Sequence, residues 1–324
     1  MTGRRFRNTP NDPKLSHGAN DCKREFAANF GDSFSFRKNS FRSRPQMQNF
    51  RASMFHVQNI SAFDTPALIP YRTMRRSAEH AALGVFIAEG EKVTRRLLES
   101  HFAVVSVLLT EEKFAELRPL LDARAEEFSV FVAPKELIES LVGFDLFQGV
   151  LSIGKIPSKI SLAEILKKKS RPLLLAAVDG LANAENLGLL VRNCAAFGAH
   201  ALLVGETCAS PFLRRAVRNS MGSIFQLPVI ESDNLAGALD ALRAQKVHCV
   251  AAHPHTEKSL AQANFKNDCC IIFGSEGNGI SAKVLAACDE AAAIPMAAKI
   301  DSLNVAAAAA VFLYEANRQR IKNI

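Results

Sequence analysis

An α/β fold is predicted for this chain, with a mainly parallel sheet covered by helices on both faces in the C-terminal part and a smaller α/β domain before it. Three observations predict it. From Pro172 onward, continuous apolar runs of strand length alternate with segments of helical period, as successive βα units do. A shorter series of strand and helix patterns fills residues 61–157. The first 60 residues, by contrast, are poor in aliphatics and hold eleven Lys/Arg against four acids, which is seven of the chain's eight net positive charges.

That opening segment cannot bury enough surface to offset its chain entropy, so residues 1–60 read as a basic, disordered tail. Phe34, Phe36, Phe41 and Phe50 interleave with Arg37, Lys38, Arg42, Arg44 and Arg51, a mixture able to neutralise phosphates and stack on unpaired bases. A merely solvated arm is the plainer alternative. An organelle transit segment fits poorly, because the stretch carries acids and no amphipathic stripe.

After the tail, Tyr71 to Glu79 reads as polar and basic, and Phe86-Ile87-Ala88-Glu89-Gly90 leads into the helical pattern Val93, Leu97, Leu98. Strands are predicted at 104–109 and 128–132, helices at 113–121 and 136–142, and Gln148-Gly149-Val150-Leu151-Ser152-Ile153 closes the set. Residues 158–170, with Lys167-Lys168-Lys169, form a linker. In the domain 171–324, apolar runs at 173–178, 201–204, 247–252, 269–273 and 291–294 are strands, and helices fall at 187–197, 211–218, 235–245, 282–287 and 303–318. Ser302 is the expected N-cap of the last helix, whose Ala-rich and Val-rich sequence predicts burial on every side.

The seven cysteines include no C-x-x-C pair and lie mostly in apolar segments, which points to reduced thiols in an intracellular, cytoplasmic protein. No apolar run reaches the length of a membrane span. His253 and His255 form an H-x-H pair without a third ligand at metal spacing, so no metal is expected.

Three segments carry the candidate chemistry. Asn183-Ala184-Glu185-Asn186-Leu187-Gly188 lies between the first strand of the C-terminal domain and its first helix, with Arg192 six residues after Asn186. Gly274-Ser275-Glu276-Gly277-Asn278-Gly279 follows an apolar strand, and its glycine order differs from the G-x-G-x-x-G of dinucleotide turns. Ile294-Pro295-Met296 is followed by Ser302-Leu303-Asn304. The last two segments give backbone-rich loops at carboxyl ends of strands, where main-chain groups can bind a small polar ligand. Taken singly, each could be an ordinary helix start, turn or strand end.

Together and in this order, the three segments resemble the signature motifs of the SpoU (TrmH-type) ribose 2′-O-methyltransferases of the SPOUT superfamily, over Pro172 to Arg320. Val217 to Phe225 with Pro228-Val229 resembles the family's pattern between the motifs. Phe86 to Lys92 and Gln148-Gly149-Val150 look like the edges of the family's substrate-binding domain, which is similar to ribosomal protein L30e. The resemblance implies an S-adenosylmethionine-dependent enzyme with a C-terminal trefoil knot, acting on RNA as a homodimer. By position it implies Asn186, Arg192, Glu276, Ser302 and Asn304 as catalytic residues. It also implies Gly274, Glu276, Gly277, Gly279, Ile294, Met296, Ser302, Leu303 and Asn304 around the cofactor. Ala184 stands where the family often has Pro, and Ala306 where many members carry Ser.

An rRNA substrate is favoured over tRNA, because an L30e-like accessory domain in this family more often accompanies rRNA. A catalytically silent RNA-binding protein for ribosome assembly is the alternative from another class, and the presence of Arg192, Glu276 and Asn304 argues against it. A Rossmann dehydrogenase is disfavoured by the glycine order. The tail's charge predicts electrostatic RNA affinity without choice of site. Deleting residues 1–60 is expected to lower the slope of log K against log salt by about 0.7 to 0.9 for each phosphate that is no longer neutralised, and to leave the modified nucleotide unchanged. An unchanged slope in filter binding, or a shifted methylation site, would contradict that role.

Overall fold

The computed structural model describes residues 54–142, 149–168, 170–297 and 302–321. Two sheets organise them. The first has the order β1-β4-β3-β5-β2, from β1 (Phe55–Asn59), β2 (Val85–Glu89), β3 (Val104–Leu109), β4 (Phe128–Val132) and β5 (Val150–Lys155). β4 runs parallel to β1 and β3, whereas β5 is antiparallel to β2 and β3. Alternation along β2 sends Val85 and Ile87 to one face with Leu68 and Tyr71, and Phe86 and Ala88 to the other. The helices are α1 (Ile69–Arg72), α2 (Ser77–Ala82), α3 (Glu91–Leu98), α4 (Glu111–Asp122) and α5 (Lys135–Val142). Thr110 caps α4, its hydroxyl accepting from the Lys113 amide.

Two expectations need correction here. Residues 1–53 of the expected tail lie outside the described residues, but its last part belongs to the sheet as β1. Phe55 is buried there, its ring 5.5 Å from that of Phe128 and 6.3 Å from that of Phe114, so an aromatic anchor holds this edge strand. Tyr71 to Glu79 is not simply a polar stretch. Tyr71 is fully buried with its hydroxyl 2.8 Å from Ser106 Oγ, and it packs with Ile87, Leu108 and Phe131 on one face of the sheet. Gln148, read as part of the closing strand, lies outside the described residues.

After α6 (Leu162–Lys168), the second sheet takes the order β11-β9-β10-β6-β7-β8. Its strands are β6 (Leu174–Val178), β7 (Ala201–Val204), β8 (Val229–Glu231), β9 (His248–Ala252), β10 (Cys269–Phe273) and β11 (Glu290–Ala292), and every adjacent pair is parallel. The helices are α7 (Ala184–Ala196), α8 (Arg214–Asn219), α9 (Leu235–Ala244), α10 (Ala282–Ala286) and α11 (Val305–Arg320). Leu174, Ala176 and Val178 of β6 pack with α7 and α11 residues, while Leu173, Leu175 and Ala177 pack with those of α6, α9 and α10. The sheet is therefore covered on both faces, which is why its strands read as unbroken apolar runs. β8, only three residues long, is an addition to the strands expected from sequence. No helix among the described residues is long and apolar enough to cross a membrane.

The helix expected to be buried on every side is not. α11 buries Val305, Ala309, Phe312, Leu313 and Ala316, but Val311 is 39% and Tyr314 57% exposed. Small residues dominate the helix, so its composition gave no sign of which face turns outward.

Phe86 joins the two halves. Its ring lies 5.7 Å from Phe212 and 5.6 Å from Phe225, both from the second half, and 6.1 Å from Phe102. Gly154 on β5 leaves room for that ring, since a Cβ there would stand 2.3 Å from Phe86 Cζ. Gly154→Ala is thus expected to destabilise the protein by about 1–3 kcal/mol through overpacking. An unchanged midpoint in thermal or urea unfolding would show that Phe86 can move aside at little cost.

Candidate active site

β6 and β10 are neighbours with Val178 opposite Phe273, so the loops after them leave the sheet side by side. β7 and β8 follow β6 outward on one side while β9, β10 and β11 all lie on the other, so the chain switches sides at this pair, which makes the crevice at their carboxyl ends the favoured place for a ligand in an open parallel sheet. Asp179, the first residue after β6, accepts from the Ser281 amide at 2.8 Å, and its own amide donates to Phe273 O. This buried carboxylate ties the glycine loop to the end of β6. Sequence reading overlooked it, although a lone acid directly after an apolar strand was the available signal.

The glycine loop closes on itself. Ser275 and Gly279 exchange two backbone hydrogen bonds of 3.0 Å, and Gly279 holds φ of 64°, which a residue with a side chain rarely adopts. A Cβ on Gly274 would lie 2.1 Å from the Gly279 carbonyl carbon, so that position admits no side chain. At Gly277 the opposite holds, and a Cβ would meet nothing within 4 Å.

A cavity of about 380 Å³ lies beside this loop, lined by residues 252–255, 273–280, 292–294, 296, 302 and 303 and by the buried side of α11. Phe273 and Phe312, edge to face at 5.9 Å, supply its apolar wall. Gly274, Glu276, Gly277, Gly279, Ile294, Met296, Ser302 and Leu303 all line it. His253 and His255 line it too, the His255 amide donating to His253 Nδ1 at 3.2 Å. Among the described residues no group of three or more His, Cys, Asp or Glu is placed to hold a metal.

Residues from the three motif segments meet at the cavity's edge. Asn183 caps α7 by accepting from the Glu185 and Asn186 amides, which leaves the Asn186 side chain available for longer-range contacts. Asn186 Nδ2 donates to Glu276 Oε1. Asn304 Nδ2 donates to the same oxygen at 3.2 Å and to Asn186 Oδ1 at 3.2 Å. The cap of α11 is Asn304 and not Ser302 as expected, because Asn304 Oδ1 accepts from the Ala306 amide at 2.9 Å. Ser302 instead borders the cavity. Ala306 takes part only through its main chain, its carbonyl accepting from Asn193 Nδ2 at 2.7 Å. Asn193, seven residues after Asn186 and so on the same helix face, is a positioning residue that sequence reading missed.

Arg192 stands apart from this cluster. Six residues beyond Asn186 it is rotated by about 120° and displaced by roughly 9 Å along α7. It is exposed, does not line the cavity, and has no hydrogen-bond or ion-pair partner among the described residues.

Comparison with known proteins agrees with this geometry. The model of the SpoU rRNA methylase family matches residues 173–314. An uncharacterised tRNA/rRNA methyltransferase of Mycobacterium tuberculosis is 31% identical over 272 residues, covering 81% of this chain and 92% of its own. The 23S rRNA (guanosine-2′-O-)-methyltransferase RlmB of Ralstonia nicotianae is 32% identical over 199 residues, 61% of this chain and 80% of that one. Among solved structures, the SpoU methyltransferase AviRb of Streptomyces viridochromogenes in complex with AdoMet has a TM-score of 0.70 at 25% identity, covering 80% of this chain and 100% of that one. An RNA 2′-O ribose methyltransferase has a TM-score of 0.67 at 27% identity, covering 82% of this chain and 100% of that one. With the three motif segments gathered at one cavity and this identity sustained over most of a relative's length, the chain belongs to the SpoU rRNA methylase family.

Proposed function

We infer that the chain is an S-adenosylmethionine-dependent RNA methyltransferase that modifies a ribose 2′-OH, with 23S-type rRNA as its substrate. The observation that carries this reading is the Asn186–Glu276–Asn304 cluster at the mouth of the glycine-lined cavity. The cavity suits the cofactor: its volume is that of a small-ligand site, its loop exposes main chain at Gly277, and it joins an apolar wall to polar side chains. Gly274, Gly277, Gly279, Ile294, Met296, Ser302, Leu303 and Asn304 would hold the cofactor, with Glu276 at its polar end. When bound, it supplies a methyl group on a sulfonium, the electrophile for an oxygen nucleophile.

Transfer to a ribose hydroxyl is an in-line displacement, so these residues serve alignment and charge stabilisation. Asn186 and Asn304 hold Glu276 in one orientation through a shared oxygen, Oε1. Arg192, a free guanidinium on an exposed helix face, suits the adjoining RNA phosphate and the developing oxyanion. A guanidinium is a poor proton acceptor, so the hydroxyl proton passes to water or to that phosphate. The 2′-OH requirement itself selects RNA over DNA.

The 23S rRNA assignment draws support from the Ralstonia relative's name and from the small α/β domain preceding the catalytic one. A homodimer fits the outward face of α11, where Ala307, Val311 and Tyr314 form a stripe at helical spacing beside Phe197, whose ring lies 6.2 Å from that of Tyr314. Pairing there would complete the burial that the composition of α11 predicts. The six described cysteines are free thiols, in keeping with a cytoplasmic setting. The implied trefoil knot belongs to the same reading, in which residues 274–280, Ile294, Met296, Ser302 and Leu303 border one cavity.

Three variants test this. Asn304→Ala removes a helix cap and both bridging bonds, so it is expected to weaken S-adenosylmethionine binding in calorimetry and to cost about 0.5–2 kcal/mol of stability. Arg192→Ala should keep cofactor affinity within a few fold yet abolish methyl transfer to deproteinised 23S rRNA. Equal loss of cofactor by both variants would refute this division of roles, and transfer to tRNA alone would refute the substrate. Val311→Asp should convert the dimer to monomer in sedimentation, and an unchanged dimer mass would exclude the α11 face.

A further inference from the structure

A second cavity, of about 630 Å³, lies between the two halves, and four arginines, Arg75, Arg214, Arg215 and Arg218, stand on its largely apolar lining. Arg214 is the most enclosed of these with a pair partner, its side chain 18% exposed. Its Nη1 donates to Glu89 Oε2 at 2.9 Å and lies 3.6 Å from Met74 Sδ. Arg218 Nη1 donates to the other oxygen of Glu89 at 3.4 Å, so one carboxylate from the end of β2 anchors two arginines of α8. Arg215 lies 3.6 Å from Glu185 and remains 67% exposed. Arg75 has no partner among the described residues. Four guanidinium groups against the two carboxylates that pair with them leave an excess of two positive charges.

Such an arrangement is costly when empty of anions. Burial, together with repulsion from Arg218, Arg75 and Arg215, pulls the Arg214 guanidinium below its ordinary value against the opposing effect of Glu89. His80, also on the lining, is held below its usual range first by burial, so it stays uncharged at neutral pH. Like charges gathered on a partly dry wall favour an anion, and the planar fork of arginine matches phosphate oxygens in pairs. Position identifies which anion. Ala184 and Glu185 line this cavity, and the next residue, Asn186, belongs to the hydrogen-bonded cluster at the cofactor cavity. The first turn of α7 is thus shared by the arginine cavity and the catalytic cluster.

We propose that this interdomain cavity seats a phosphodiester of the substrate RNA next to the target nucleotide, held by Arg75, Arg214, Arg215 and Arg218, with Glu89 fixing Arg214 and Arg218 in place. This rests on the RNA methyltransferase reading above and deepens it: the domain junction itself becomes part of the RNA track. The cavity would then link binding by the first half to chemistry in the second.

The test uses the full-length chain with deproteinised 23S rRNA as probe, in filter binding across a salt series, alongside calorimetry with S-adenosylmethionine. Arg75→Ala combined with Arg215→Ala removes two exposed guanidinium groups without touching the Glu89 pairs, so folding is preserved. RNA affinity at 150 mM salt is expected to fall about 10- to 30-fold and the salt slope by about 1.4 to 1.8, with cofactor affinity unchanged. Wild-type RNA affinity and slope retained in the double variant would overturn the proposal alone. A wild-type chain that takes up the cofactor but binds no RNA would overturn both this proposal and the reading it rests on. If inorganic phosphate raised the melting temperature of the wild type but not of the double variant, while RNA binding stayed equal, the seat would take a free anion and the RNA assignment would fall.

Discussion

One amide, that of Asn304, ties the site together. Its oxygen starts α11 and its nitrogen bridges Asn186 and Glu276, so the helix end, the glycine loop and the first turn of α7 share one set of hydrogen bonds. Net hydrogen bonds of this kind contribute only about 0.5–1.5 kcal/mol each, somewhat more where a carboxylate accepts. Since Asn304 and Glu276 are exposed, their effect on global stability is modest and their main consequence is geometric. Removing the amide releases the start of α11 from Glu276 and Asn186, which stay joined to each other.

The sheet makes that meeting possible. β6 and β10 end in register, and Asp179 fastens the glycine loop to β6 while Asn193 fastens the start of α11 to α7. The alternative conformations open to a Gly-rich loop are thereby reduced before any ligand arrives. Pre-ordering of this sort lowers the entropy lost on binding, which is the physical reason for burying a charged residue such as Asp179 at a strand end.

Much of this was legible in the chain itself. Strand runs such as Cys269–Phe273 and the segments around Asn186, Glu276 and Asn304 could be read because a doubly covered sheet leaves continuous apolar stretches and its loops gather polar and glycine residues. What escaped reading depends on contacts between distant residues. Ser302 and Asn304 are both good caps, and only the neighbours of Asn304 decide between them. The outward face of α11 is hidden by the uniform size of its residues. β1 looked like tail because its anchor, Phe55, has partners some 60 to 70 residues away in Phe114 and Phe128. Tyr71 sits among polar residues in sequence, yet its one hydroxyl finds Ser106 inside the first half.

Charge follows a different logic from packing. The Asn186–Glu276–Asn304 cluster pairs neutral amides with one carboxylate, while the cationic groups stand around it: Arg192 alone on α7, and the four arginines at the domain junction. A polyanion drawn to the surface would therefore be held on both sides of the first turn of α7 and not over the cofactor cavity, where Glu276 would repel it. On the proposed reading, separating the electrostatic grip from the methyl-transfer geometry would let the same positive surface serve many phosphates while the hydrogen-bonded cluster served one hydroxyl.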